Sequence, residues 1–130
     1  MTVGVFSVVL TIGPYAPRVA CAAISIAIFG DAAANVIGKK WGKHHFKKNK
    51  TLEGLLGGGL VSFVSAFAFL IYEDLLTATV SSALHILPIA LGGAVAFMVV
   101  DFLSPSISDN LINPLASGIT MALMTIFVIF

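Results

Sequence analysis

The chain has 130 residues, 58% of them hydrophobic and only 10% charged, with a mean hydropathy of +1.05. A soluble domain of this size has no interior large enough to hide so much apolar surface, so an ordinary soluble protein is excluded. The net charge is only +1, but six of the seven Lys and Arg residues lie between Lys39 and Lys50, and only Arg18 lies elsewhere.

Long apolar runs predict an all-α integral membrane protein. Residues 1–130 read as a single transmembrane domain, a polytopic bundle of about four to five helices. Val3 to Gly13 is apolar but covers only about half of a ~30 Å hydrocarbon core, and Pro14 and Pro17 break or kink the helix after it. The N-terminus lacks a basic region and a cleavage site, so no cleaved signal peptide is expected. Arg18 to about Ile37 is a full span rich in alanine. Its single cysteine, Cys21, reads as a small buried apolar residue. Leu55 to Tyr72 is a third run, ended by Glu73-Asp74. Thr79 to Leu103 is a fourth, interrupted by Pro88 and Gly92-Gly93, with His85 facing the bundle. Asn113 to Phe130 is the last.

The basic loop between the second and third runs sets the topology, because short Lys-rich loops stay in the cytosol. Asp31, Glu53, Asp101, Asp109 and Asn110 then fall near the same membrane face as the lysines, and Glu73-Asp74 on the other. Asp31 is the sharpest residue. A carboxylate at membrane depth is penalised, and Asn35, one turn on, shares its face, so the two present oxygen ligands to a hard cation such as Mg²⁺. Lys50 can neutralise phosphate, Thr51 suits a helix N-cap, and a helix starting there points free N–H groups at an anion. Gly54 reads as packing or as a backbone approach to phosphate, within the Gly54–Gly58 pair of small residues. Glu53 reads equally as a helix cap or a metal ligand. His44-His45 lacks a third ligand at suitable spacing, so zinc is not expected. Asp101 closes the fourth run, and Asp109 suits an N-cap for the last helix, with Pro114 near its first turn.

Gly30-Asp31-Ala32-Ala33-Ala34 with Gly38 and Gly42-Lys43, followed by Lys50-Thr51-Leu52-Glu53-Gly54, resembles the CTP-using membrane superfamily of phosphatidate cytidylyltransferases and CTP-dependent dolichol, phytol and diacylglycerol kinases. Asp109-Asn110-Leu111-Ile112-Asn113-Pro114-Leu115 with Gly118 is similar to the Asp-Asn-Leu-x-x-Pro-Leu segment of the dolichol-kinase-like branch, and Asp101 falls where that branch often has Glu. The late Gly-Asp and Pro-Gly-His-Gly-Gly signature of the cytidylyltransferases is absent from the sequence. Relatives usually have several more helices before the Gly-Asp segment. Here only Thr2 to Phe29 precede it, so the resemblance implies a truncated member, a minimal version completed as a homo-oligomer, or a fragment.

The resemblance implies a Mg²⁺-dependent lipid kinase that uses CTP as co-substrate and phosphorylates a membrane lipid alcohol at the cytosolic face. Asp31 and Asp109 would hold the metal, with Asn35 and Asn110 as supporting oxygen ligands. Lys50 and the Thr51–Gly54 helix start would hold phosphate, helped by Lys43 and Lys48. Glu53 or Asp101 would orient the lipid hydroxyl. No nucleic-acid partner is expected. A cytidylyltransferase-type CDP-lipid synthase and a non-catalytic membrane scaffold are the competing expectations.

Overall fold

A computed structural model describes residues 17–47, 50–77, 83–103 and 109–129. The expected first apolar piece, Val3 to Gly13, lies outside them, as does Lys48. Helix α1 (Pro17–Ser25) runs through a π-helical turn (Ile26–Gly30) into α2 (Asp31–Trp41). A hairpin of β1 (His45–Lys47) and β2 (Lys50–Thr51) leads to α3 (Leu52–Thr77), followed by α4 (Ala83–Leu103) and α5 (Asp109–Ile129). In hydrocarbon a chain must satisfy its own backbone polar groups, and uninterrupted apolar segments do so as helices. Among the described residues, three stretches are long and apolar enough to cross a membrane: Pro17–Trp41, Leu52–Leu76 and Leu84–Leu103. In α5 a shorter apolar stretch, Ile112–Val128, joins them. The chain is an all-α bundle of a multi-pass membrane protein.

Several apparent breaks in the sequence do not end helices. Asp31 lies inside the expected Arg18–Ile37 span, and the helical rod continues through it to Trp41. Glu73-Asp74 does not end α3, which reaches Thr77, because the buried Asp74 is ion-paired with Arg18 of α1. Pro88 and Gly92-Gly93 lie inside an unbroken α4. Those two glycines let α5 approach: a Cβ on Gly92 would meet Met124 at 3.0 Å, and one on Gly93 would meet Met121 at 2.6 Å.

The core is built from small residues and a few large ones. Ala22, Ala23, Ile26, Ala66, Ala90, Phe97 and Met121 are fully buried. Large apolar residues also point outward, Leu60, Leu84 and Phe127 among them, as expected where the surroundings are acyl chains. Two placements differ from the sequence reading for this reason. Cys21 is exposed, and so is His85. An apolar run has no obligatory inward face when both faces contact apolar matter.

Helices α2 and α3 approach closely. Gly30, Ala34 and Gly38 on one helix meet Gly54, Gly58 and Ser62 on the other, both sets spaced by four. A Cβ at Gly58 would lie 2.8 Å from Ala34 Cβ and 2.9 Å from the Gly30 carbonyl oxygen. The backbones therefore touch without intervening side chains, the use small residues have in membranes. Gly58→Leu is expected to lower stability by about 1–3 kcal/mol or more by overpacking this seam. Thermal unfolding in detergent checks it, and a variant as stable as the parent would contradict the seam.

Candidate functional site

Two ion pairs mark the two ends of the bundle. At one end Arg18 Nη2 donates to Asp74 Oδ1 and, at 3.4 Å, to the Leu70 carbonyl. At the other end Lys50 of β2 reaches across to α4. Its ammonium donates to Asp101 Oδ1 at 2.7 Å and to the Asp101 carbonyl at 3.0 Å. Both side chains are largely enclosed, 15% exposed for Lys50 and 8% for Asp101. The pairing follows from the antiparallel run of α3 and α4, which brings the start of one beside the finish of the other.

The basic loop is organised by the same segment. Strand β1 pairs antiparallel with β2, His45 opposite Thr51 and Lys47 opposite Lys50. Glu53 closes the loop onto the helix: its carboxylate accepts the His44 N–H at 3.2 Å and lies 2.5 Å from His44 Nδ1. Leu52 N–H donates to the His44 carbonyl at 2.8 Å. Thr51 caps α3, its hydroxyl accepting the Gly54 N–H at 3.1 Å. The expected N-cap is therefore present, and the amides of Leu52 and Gly54 are used within the fold. Gly54 is covered as well: a Cβ there would lie 2.6 Å from the Ala34 carbonyl oxygen and 3.1 Å from Gly38 Cα. Lys43, beside His44, is exposed. Lys40 lies 5.1 Å over the ring of Trp41 at the end of α2.

Asp31 comes directly after the π-helical turn, and its N–H is shared between the Ala27 and Ile28 carbonyls. Such turns widen a helix locally and are frequent at functional positions. Nothing in the order of residues signals this one. Gly30 beside Asp31 packs against Phe97 and Gly58, so Asp31 sits about a turn deeper in the bundle than the Lys50–Asp101 pair. Asp31 is half-buried and Asn35 exposed. Asn35 Nδ2 donates to the Asp31 carbonyl at 2.9 Å, which fixes its donor end and leaves its amide oxygen as the acceptor. Asp109 opens α5 at the end of the bundle where α4 finishes. The side chains of Asp109 and Asn110 lie outside the described residues.

Among the described residues no three His, Cys, Asp or Glu side chains gather around one point. Mg²⁺ asks for less, one or two carboxylates plus the oxygens of a phosphate. The Asp31–Asn35 face suits that requirement. The carboxylates of Asp101 and Glu53 are already engaged, with Lys50 and His44.

No family model, no curated protein and no solved structure matches the chain.

Proposed function

We propose that this chain is a CTP-dependent kinase that phosphorylates a membrane lipid alcohol. The observation that carries the reading is the Lys50–Asp101 contact. It ties the Lys-Thr-Leu-Glu-Gly segment to the end of α4, next to the start of the Asp-Asn-Leu segment, while the α2–α3 seam ties it to the Gly-Asp segment. The three stretches on which the resemblance rests thus belong to one packed end of the bundle.

In the reaction the lipid hydroxyl oxygen attacks the γ-phosphorus of CTP. The bond from that phosphorus to the β–γ bridging oxygen breaks, CDP leaves with the electron pair, and the alcohol proton is lost to solvent. Such transfer depends mainly on positioning and on neutralising phosphate charge. Lys50 supplies charge, with Lys43 and Lys48 from the hairpin region. Asp101 acts as a positioning residue that aims the Lys50 ammonium. Glu53 holds the hairpin against α3 through His44. Asp31 and Asp109, with Asn35 and Asn110, would hold Mg²⁺, which when bound supplies charge neutralisation of the phosphates. The lysine-rich end faces the cytosol by the positive-inside rule.

The test is the nucleotide product formed by purified protein in lipid nanodiscs with CTP, Mg²⁺ and either a polyprenol or phosphatidate. CDP with a lipid phosphate is expected from the alcohol. Pyrophosphate with a CDP-lipid would replace the kinase by a cytidylyltransferase. Absence of turnover with every lipid would leave a scaffold.

A further inference from the structure

Helix α2 lies on the rim of the bundle and has two unlike sides. Its inner side is the seam of Ala34 and Gly38 against α3, with Ile37 beside Gly57. None of its residues is fully buried. Outward, Phe29 just before it and Val36 are more than half exposed, and Ala32, Lys39 and Lys40 are exposed as well. These positions step by three or four residues, so they form one stripe along the helix. Ten residues separate Phe29 from Lys39, about 15 Å at the helical rise and half of a ~30 Å hydrocarbon core. The stripe is as long as one leaflet, apolar along its length and cationic at its end.

The cationic end has no counter-charge. Among the described residues Lys39, Lys40 and Lys43 enter no ion pair, while Glu53 and Asp101 at the same end are engaged with His44 and Lys50. Trp41, the single tryptophan of the chain, ends the membrane-spanning stretch and is exposed, with the Lys40 ammonium 5.1 Å from its ring. An indole in that position marks the level of the lipid headgroups. Two neighbouring ammonium groups repel each other until an anion lies between them. The anions held at that level are lipid phosphates, and lysines beside a membrane surface gain most from lipids of net negative charge.

We infer that the outer face of α2 holds one anionic phospholipid of the surrounding bilayer, with an acyl chain along Phe29, Ala32 and Val36 and its phosphate at Lys39 and Lys40. The site faces away from the seam with α3 and does not depend on the kinase reading, because the lipid is a resident that reacts with nothing. Phosphatidylcholine fits the apolar stripe equally well but brings its own cation, which competes with the lysines for the phosphate. Net charge therefore decides the choice, and the preference shrinks as salt screens it. A free phosphate can meet the same lysines from water but gains nothing from the apolar stripe.

The single tryptophan reports on the site directly. The protein is placed in a series of phosphatidylcholine nanodiscs with rising fractions of phosphatidylglycerol or phosphatidylcholine carrying a nitroxide high on one acyl chain, and Trp41 fluorescence is read. Half-quenching is expected at about a tenfold lower fraction of the labelled phosphatidylglycerol. Unlabelled phosphatidylglycerol should restore the emission. In about 1 M salt the ratio of the two lipids should fall toward one. The double variant Lys39→Gln, Lys40→Gln should be quenched equally by both lipids while unfolding at the parental temperature, because both side chains are exposed and Gln suits a helix about as well as Lys. Equal quenching by the two lipids in the parent, or a preference kept by the double variant, would overturn the site. Relief of quenching by millimolar CTP or inorganic phosphate as complete as that by unlabelled phosphatidylglycerol would also overturn it, replacing the lipid by a free phosphate. CDP formation has no bearing on these readings, so the site and the kinase stand or fall separately.

Discussion

Asp31→Asn is expected to abolish CTP turnover while leaving the bundle folded, with CDP release falling by about a hundredfold or more. The substitution keeps the size and the neighbouring Asn35–carbonyl bond but removes the charge. Asp and Asn have similar helix propensities, so little stability should change. The half-buried position on the face shared with Asn35 is where a hard cation would meet carboxylate and amide oxygens together. CDP release in nanodiscs measures the activity, and circular dichroism with thermal unfolding measures the fold. A variant with parental turnover would remove Asp31 from the chemistry. A variant that loses turnover only by unfolding would make Asp31 a structural residue.

Asp101→Asn is expected to destabilise the protein by about 3–5 kcal/mol, because it leaves the largely enclosed Lys50 ammonium without a counter-charge. Lys50→Met should do comparable damage from the other side. The double variant Lys50→Met, Asp101→Leu removes both charges together, and a buried pair replaced by apolar groups often returns near the original stability. The double variant should therefore fold well and yet release no CDP. That combination separates the two duties of the pair. Denaturant unfolding in micelles reads the stability, and the CDP assay reads the function. Additive losses in the double variant would show that the two side chains act independently. Full turnover in a stable double variant would show that the lysine is not used.

Much of the architecture is legible in the residues because bilayer energetics act locally. Runs such as Leu55 to Tyr72 and Thr79 to Leu103 announce helices, since unbroken apolar runs of that length satisfy their backbone in hydrocarbon within one segment only as helices. Thr51 as a cap is legible for a similar reason, as its hydroxyl acts on an amide three residues away. Residues that look like stops are harder. Asp74 seems to end a span until Arg18, 56 positions away, is seen beside it. Cys21 and His85 are misplaced inward because hydropathy cannot tell a lipid-facing surface from a packed one.

The site divides along the same line. The residue types, the lysine cluster and the concentration of acids toward one membrane face follow from the order of the chain. Which partner each acid takes does not. Asp101 binds Lys50 and Glu53 binds His44, although by residue type both acids are equal candidates to orient a hydroxyl. Nor does the order of residues reveal that Gly54 is covered by α2, that a π-helical turn precedes Asp31, or that Asn113 is enclosed with an unpaired oxygen.

Sequence alone determined that this is a multi-pass helical membrane protein with most of its positive charge gathered in one loop, because hydrophobic transfer and backbone self-bonding are summed over neighbouring residues. Tertiary structure alone decided which of the charges are spent on one another and which polar atoms are enclosed without a partner. Such pairings depend on the relative rotation and depth of helices, set by close glycine contacts and by side chains far apart along the chain.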